Sequence, residues 1–478
     1  MNVLDQKRTP LYDCIVKHAA GAPVSFHVPG HKYGEIIPDR AQKYFRELLK
    51  MDATELTGLD DLHSPEGPIL EAQGLLKRLY GTEQSYFLVN GSTAGNLAMI
   101  LATVKENDIV LVQRNSHKSI MNGIRMAKAH PVFLSPETQH GGTVAGGVAL
   151  QTVEAALEKY PEAKAIILTY PNYYGMVNDL GAIVTTAHAR KIPVLVDEAH
   201  GVHFTLGQPF PASAVSLGAD CIVQSAHKTL PAMTMGAYLH ITSKRISITA
   251  VESWLQTLQS SSPSYPIMAS LDLARSYLGT YTQRDLEELI QRISKFRMEA
   301  ADVKGLEVLP LDGGDPLKLT IKPNGGQSGY ELQARLEEEG IYGELADPYH
   351  VLLVLPLLKK ENRWRFAEAI EKIRAAATKL NPASKVQQLQ PFQQKPFISM
   401  AIPYQEMEEM EKTAVALEEA EGEVCAEMVI PYPPGIPLLM PGIRIGREEL
   451  AQLRLLLDNG AKIQGGSLLG KGLLTIFK

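Results

Sequence analysis

Cysteine is scarce in this chain of 478 residues. Its three cysteines, Cys14, Cys221 and Cys425, are far apart, and none belongs to a CxxC pair. This spacing argues against a disulfide framework and against a cysteine zinc site. It indicates a reducing compartment in which the thiols are buried or free.

The sequence also lacks a basic excess and a long apolar run. The formal net charge of −6 argues against a general nucleic-acid binder and leaves room for a cationic substrate. Residues 1–8 contain no apolar core of a signal peptide, and no apolar run is long enough to span a bilayer. We therefore expect a cytoplasmic protein without a membrane or nucleic-acid partner.

Three fingerprints of common enzyme classes are missing as well. The sequence contains no GxGxxG of dinucleotide-binding proteins, no GxxxxGK[ST] of P-loop proteins and no HExxH of zinc enzymes. Any catalytic chemistry must therefore depend on other residues.

The length and the order of the predicted elements indicate several domains. A Pro-, Gly- and His-rich arm is expected over 1–65, followed by a large domain over 66–265 in which strands alternate with helices. A smaller α/β domain is expected over 266–380 and a C-terminal α+β domain over 396–478. The Gln- and Pro-rich stretch between them, 381–395, is typical of a linker.

The predicted strands of the large domain are apolar throughout, as in Ile109–Val112, Ala165–Leu168 and Pro193–Val196. Helices are predicted between them, at 153–160 and 183–190. This alternation is typical of an α/β fold with a mainly parallel sheet covered on both faces. Ligands of such sheets bind beyond the carboxyl ends of the strands.

A carboxylate and a lysine follow two of these apolar strands. Asp197 ends one strand, and Lys228 lies 31 residues later, in the segment 225–228 after the apolar run 221–223. A pyridoxal-phosphate (PLP) enzyme needs this pair, because a lysine amine condenses with the cofactor aldehyde and an acid keeps the pyridine nitrogen protonated. Ala199 is small enough for a flat ring to lie close. We predict a PLP site on these residues.

The segment Asn90–Asn96 lies at a predicted strand-to-helix junction. Its free backbone N–H groups and the helix dipole favour a phosphate, to which Ser92 and Thr93 would add hydroxyl donors. A helix N-cap in a tight turn explains the same residues equally well. His117 follows the next strand, where it either lies on a cofactor ring and moves protons or caps a helix.

A metal is the alternative partner for Asp197, because a buried carboxylate is costly without a cation or a donor. His200 and His203 are close in sequence. No recognised ligand spacing accompanies them, so we expect no metal.

Together these residues resemble the fold-type I (aspartate aminotransferase-like) PLP enzymes and, within them, the bacterial ornithine/lysine/arginine decarboxylase family. The resemblance covers nearly the whole chain. The chain is similar to the shorter group of this family, which lacks an N-terminal receiver-like domain. The matching segments are Phe26–Lys32, Leu59–His63, Asn90–Thr93, Asn115–Ser119, Asp197–Gly201, Ser225–Lys228, Ser261–Tyr265 and Pro431–Pro437.

The resemblance implies a role for each matching residue. Lys228 would bind PLP covalently, Asp197 would pair with the pyridine nitrogen and His117 would stack on the ring. The other expected cofactor contacts are Gly91, Ser92, Thr93, Ala199, His200, Ser225 and His227. Active sites of such enzymes lie between two subunits, so we expect a homodimer or larger homo-oligomer in which Ser262 reaches across from a partner.

The resemblance also implies decarboxylation of a basic L-amino acid in polyamine biosynthesis, with arginine favoured over lysine and ornithine. Lys228 or His117 would return a proton to Cα. A cationic side chain needs acidic partners. The candidates are Asp60, Asp61, Glu344 and Asp347, each of which is otherwise a solvated surface carboxylate.

Two alternatives stay open. Aminotransfer, or a lyase reaction on another amino acid, would use an arginine for the α-carboxylate, and Arg363, Arg365 and Arg444 are available or else solvated. A catalytically idle PLP-binding relative is suggested by Ile443, where members of the family usually carry Glu.

Overall fold

A computed structural model describes residues 3–139, 144–311, 313–383, 386, 395–432 and 435–478. Most of the predicted linker and residues 433–434 of the segment Pro431–Pro437 lie outside the described residues. The α-helices are α1 (Val3–Gln6), α2 (Pro10–Ala20), α3 (Gln42–Leu49), α4 (Pro68–Tyr80), α5 (Gly91–Thr103), α6 (Lys118–Met126), α7 (Leu150–Lys159), α8 (Leu180–Ala189), α9 (Ala226–Thr229), α10 (Ile248–Leu258), α11 (Tyr265–Gly279), α12 (Gln283–Ala301), α13 (Gly329–Glu338), α14 (Phe366–Thr378) and α15 (Arg447–Asp458).

The strands confirm the predicted apolar runs, with ends that differ from them by one residue. They are β1 (Gln84–Leu88), β2 (Ile109–Gln113), β3 (His130–Leu134), β4 (Thr138–Gln139), β5 (Val144–Ala145), β6 (Ala165–Thr169), β7 (Val194–Asp197), β8 (Cys221–Gln224), β9 (Ala237–Ile241), β10 (Leu306–Val308), β11 (Lys318–Pro323), β12 (Leu345–Ala346), β13 (Val351–Val354), β14 (Phe397–Ser399), β15 (Lys412–Ala416), β16 (Val429–Pro431), β17 (Ile463–Gly465) and β18 (Leu473–Phe477).

The chain forms two compact units, each built from two separate segments. The first unit comprises Met1–Thr103 and Ala187–Thr282, and the second comprises Val104–Thr186 and Gln283–Lys478. Each unit therefore contains strands from both halves of the predicted large domain. The domain boundaries given above stay predictions.

In the first unit four strands are adjacent in the order β1-β9-β8-β7. Strands β7 and β8 are parallel, whereas β9 is antiparallel to both β8 and β1. The segment 225–236 between β8 and β9 contains the single turn α9 and returns the chain antiparallel to β8. This segment carries Lys228, so the lysine lies in a connection between two neighbouring strands.

Helix α5 lies very close to this sheet because residue 95 is glycine. A Cβ at Gly95 would come within 2.6 Å of Leu88 Cδ1 and 3.0 Å of Val223 Cγ1. The close approach places the N-terminus of α5 next to the ends of β1 and β8, where the site residues lie.

In the second unit β6, β2 and β3 are parallel neighbours, and β14 adds an antiparallel edge. A separate antiparallel sheet, β10-β11-β13-β12, lies in the range predicted for the smaller domain. The C-terminal range contains the pairs β15-β18 and β16-β17 with α15, an α+β arrangement as predicted.

Candidate active site

Lys228 is held in a loop that is closed across its base. His227 donates from its backbone N–H to Gly236 O at 3.2 Å, and its ring Nδ1 is 3.0 Å from the same oxygen. Both atoms act as donors to a carbonyl, which assigns the proton of His227 to Nδ1. The single turn of α9 thus presents Lys228 at the carboxyl end of β8.

The amine of Lys228 contacts the imidazole of His200. Lys228 Nζ lies 2.8 Å from His200 Nε2, and His200 is almost fully buried. A lysine that attacks an aldehyde must first lose a proton. The contact fixes the position of the amine and places a proton acceptor beside it.

Asp197 ends β7 in a buried position with only 3% of its surface exposed. Its Oδ2 accepts a hydrogen bond from Asn96 Nδ2 at 3.0 Å, and its Oδ1 accepts one from the Ala199 backbone N–H at 3.1 Å. Burial raises the pKa of Asp197, and the positive charge of Lys228 opposes this rise. A buried carboxylate with this tendency is well matched to a cationic ring nitrogen, so the site fits the electronic needs of PLP.

The N-terminus of α5 forms the expected phosphate end. Ser225 Oγ donates to Ser92 Oγ at 2.9 Å, and the Gly91 backbone N–H donates to Met235 O at 3.0 Å. Gly91 has φ +76°, a conformation that favours glycine. The structure thus brings Ser92 and Ser225 together at the start of a thirteen-residue helix, which fits a phosphate.

The other predicted contacts of the first unit differ in exposure. Ala199 is buried and Thr93 is exposed. Ser262 is exposed, and its backbone N–H donates to Ser260 Oγ at 3.3 Å. A reach of Ser262 into a partner subunit stays a prediction.

His117 belongs to the second unit and caps α6. Its Nδ1 accepts the Ser119 backbone N–H at 3.2 Å and lies 2.9 Å from Ser119 Oγ. The capping alternative is therefore correct for the local geometry. Capping uses Nδ1 at one edge of the ring, and the role of His117 in cofactor binding stays a prediction.

Asp60 has a structural function at the start of α4. Its carboxylate accepts backbone N–H groups of Glu66 at 2.8 Å, Gly67 at 2.8 Å and Ile69 at 2.9 Å. Burial raises the pKa of Asp60, but these hydrogen bonds bring it below its ordinary value. Asp61 Oδ1 accepts the backbone N–H of His63 at 2.8 Å.

Asp347 is likewise engaged within the second unit. Its Oδ1 accepts the backbone N–H groups of Tyr349 at 2.6 Å and His350 at 2.8 Å, and its Oδ2 accepts the hydroxyl of Tyr174. Burial and the Asp347 charge raise the pKa of Tyr174 well above its ordinary value. Glu344 is exposed. The substrate-binding role of the four acids stays a prediction.

Sequence reasoning missed Asn96 and Glu198. Asn96 is four residues after Ser92, and such a pair shares one face of a helix, so this spacing was an available signal. Glu198 is fully buried and begins a hydrogen-bonded chain. Its Oε2 accepts Gln224 Nε2 at 2.6 Å, Gln224 Oε1 is 3.1 Å from His240 Nε2, and His240 Nδ1 is 2.8 Å from Ser85 Oγ. Nothing in the sequence points to that chain.

The three arginines considered for an aminotransfer reaction, Arg363, Arg365 and Arg444, are exposed. Arg444 donates to Gly422 O. Ile443 is buried in the C-terminal range. His203 packs against the rings of Phe204 and Phe210, with centroids 5.0 and 4.7 Å away.

Two kinds of feature are absent from the described ranges, a metal-binding cluster and a membrane-spanning helix. No three His, Cys, Asp or Glu side chains among the described residues are grouped so that they could hold a metal ion. In the same part of the chain, no helix combines the length and the apolar character that crossing a membrane requires.

Models of one protein family match both parts of the chain. The major domain of Orn/Lys/Arg decarboxylases matches residues 9–311, and the C-terminal domain of the same family matches residues 384–463. The chain belongs to the Orn/Lys/Arg decarboxylase family. This confirms the resemblance, the PLP cofactor and the prediction of a PLP-dependent amino-acid decarboxylase.

Relatives match over nearly their whole length. The chain is 47% identical over 475 residues to the uncharacterized protein YaaO of Bacillus subtilis, covering 98% of each chain. It is 33% identical over 479 residues to arginine decarboxylase of the same organism, covering 97% of this chain and 96% of the relative.

A solved structure supports the fold. The lysine decarboxylase LdcF of Francisella novicida matches with a TM-score of 0.82 at 20% identity, over 99% of this chain and 81% of that one. The predicted fold-type I architecture is thus confirmed.

Proposed function

We propose that this chain decarboxylates a basic L-amino acid to the corresponding amine and CO2, with arginine favoured over lysine and ornithine. The observation that carries the proposal is the arrangement of the buried residues Asp197, Asn96 and His200 with the partly buried Lys228 in the first unit. The product amine suits polyamine biosynthesis, and we propose a cytoplasmic homodimer or larger homo-oligomer.

The chemistry divides between cofactor and protein. When bound, PLP withdraws electrons from the substrate Cα, so that the bond to the carboxylate breaks and CO2 leaves. Asp197 would keep the ring nitrogen protonated, and Ser92 and Ser225 would hold the phosphate. Lys228 would bind the cofactor, and its amine, when free, lies beside His200.

The returning proton closes the reaction. Loss of CO2 leaves an electron pair on Cα, and one proton must replace the carboxylate there. Lys228 or His117 supplies that proton. Each turnover that releases CO2 takes up one proton from solution, and hydration of that CO2 to bicarbonate returns the proton, so amine formation is the quantity to assay.

Arginine is favoured because the arginine decarboxylase of Bacillus subtilis is similar over almost the whole chain. A planar guanidinium needs two parallel acceptors, whereas an ammonium needs one point contact. Asp60, Asp61 and Asp347 accept hydrogen bonds from their own neighbours, and Glu344 is exposed. All four acids stay candidates for the contact with the distal cation.

The test is mass spectrometry of the products after incubation with PLP and L-arginine, L-lysine or L-ornithine. Agmatine, cadaverine or putrescine would identify decarboxylation and the substrate at once. A keto acid would support aminotransfer instead, and PLP bound to Lys228 without turnover would support an idle relative.

Lys228→Ala should abolish amine formation, because it removes the amine that lies beside His200 and would hold the cofactor. Lys244→Ala, which removes an exposed lysine of the same unit, serves as the control and should keep full activity. Substantial amine production by the Lys228 variant would refute the assignment.

A further inference from the structure

A segment of the C-terminal family domain is fixed to the residues that follow β2. The Arg114 guanidinium donates from Nη1 to Pro437 O at 2.7 Å and from Nη2 to Leu438 O at 2.7 Å. The Lys118 backbone N–H donates to Gly435 O at 3.1 Å. Three donors from one short stretch thus bind three carbonyl groups of the segment 435–438.

Lys118 adds two side-chain contacts in the same region. Its Nζ donates to Gln464 Oε1 at 2.8 Å and lies 5.5 Å from the centre of the Tyr432 ring. Gln464 belongs to β17, which pairs with β16 just before this segment. The attachment is therefore made to the sheet as well as to the loop.

The consequence falls on His117, which lies between Arg114 and Lys118. One edge of its ring is fixed by Nδ1, which caps α6 through Ser119. The other edge faces Gly435, where an added Cβ would lie 3.1 Å from Cδ2 and 3.2 Å from Nε2. A side chain at position 435 would therefore crowd the ring, whereas glycine leaves room for the orientation that the Nδ1 contacts set.

We propose that Gly435, in the segment that Arg114 and Lys118 hold, is a positioning residue that sets the plane of the His117 ring. The C-terminal domain thereby takes part in cofactor recognition through a residue of the major domain. This inference rests on the proposed function, in which His117 stacks on the PLP ring.

Gly435→Ala tests the proposal directly. The added methyl group must move the His117 ring by a few tenths of an ångström, and small misplacements of reacting groups are costly, so kcat should fall about tenfold. KM for the amino acid should change little, and the visible absorption and circular dichroism of bound PLP should change.

Gly460→Ala is the matched control. Gly460 has φ +73° and Gly435 has φ +97°, so an alanine is strained at both positions, but a Cβ at Gly460 meets nothing within 4 Å. The control variant should lose thermal stability while keeping kcat and the PLP spectrum.

Arg114→Lys is the second variant, which serves even if Gly435→Ala does not fold. One ammonium cannot reproduce the two parallel bonds of the guanidinium, so kcat and the PLP spectrum should change in the same direction. Unchanged kcat and spectrum in Gly435→Ala, or in Arg114→Lys if the former does not fold, would overturn the proposal.

His117→Ala separates this inference from the proposed function. If His117→Ala is impaired and Gly435→Ala matches its control, only the positioning role fails. If His117→Ala keeps full activity and an unchanged spectrum, His117 does not stack on PLP, and the inference falls with that part of the proposed function.

Discussion

Asp197 and Glu198 are adjacent buried carboxyl groups at the end of β7 that contact different partners. Asp197 lies near the Lys228 amine, whereas Glu198 accepts hydrogen bonds from the Ala214 backbone N–H at 2.7 Å and from Gln224 at 2.6 Å. Burial raises the pKa of Glu198 from an ordinary 4.5 to about 8. Glu198 is therefore neutral in the folded protein over a range in which the unfolded chain ionises it.

This difference predicts a pH dependence of stability. Below pH 4.5 Glu198 is protonated in both the folded and the unfolded state, and its contribution to the free energy of unfolding is fully present. As the pH rises through 8 this contribution is lost, by up to about 5 kcal/mol for a pKa shift of this size. Glu198→Gln cannot ionise, so the difference in Tm between the variant and the wild type should grow in favour of the variant from pH 6 to pH 9.

Thermal denaturation at several pH values measures this difference. Glu158→Gln, which alters an exposed carboxylate, is the control and should show a constant difference in Tm. A Glu198→Gln difference that stays constant with pH would show that Glu198 is ionised in the folded protein.

The residues found from sequence are those that follow apolar strands. Asp197 and Lys228 could be predicted because a charged group after a buried run is costly and needs a purpose. Glu198 could not, because its partner Gln224 and the next member of the chain, His240, are polar residues inside strands that the apolar pattern conceals. The engagement of Asp60 with the start of α4 was also invisible, since it depends on loop geometry.

At the scale of elements, the position of α5 decides where the phosphate end lies. Its apolar contacts are made possible by Gly95, which faces Leu88 and Val223. The sequence predicted this helix and strand β1 from their periodicity. It did not predict β9, because the residue pattern does not show that the chain turns back after β8 to form a neighbouring antiparallel strand.

Gly95→Ala should destabilise the protein by about 1–3 kcal/mol, because the methyl group overpacks the contact between α5 and the sheet. The shift of the helix should also weaken PLP binding through Ser92. Denaturant unfolding and PLP titration measure the two effects.

Gly74→Ala in α4 is the control for this variant. A Cβ at Gly74 meets only Arg78 Nη1 at 3.9 Å, so helix propensity alone should stabilise the protein by roughly 0.5–1 kcal/mol. Equal effects of the two substitutions would mean that Gly95 does not determine the position of α5.

At the scale of the whole molecule, the family, the fold class and the cofactor were all accessible from sequence, because motifs are spread from Phe26 to Pro437. The composition of the two compact units was not. Sequence reasoning assigns domains to continuous stretches, whereas β1 pairs with β9, far along the chain. Pairing between distant strands leaves no local signal.

Removal of PLP should lower the Tm of the whole protein, and adding it back should restore the Tm, because a ligand that binds only the folded state stabilises it. Lys228→Ala should show a smaller rise on adding PLP, since the covalent link is lost. Differential scanning calorimetry of both proteins with and without PLP provides the measurement, and an equal rise would argue against attachment at Lys228.

The chain of hydrogen bonds that runs from Glu198 through Gln224 and His240 to Ser85 has a consequence for how this sequence can evolve. Each member satisfies its neighbour in a buried place, so replacing one leaves a donor or an acceptor unpaired. Relatives that have lost Gln224 are therefore expected to have lost Glu198 as well, and these positions should change as a set, by concerted substitution.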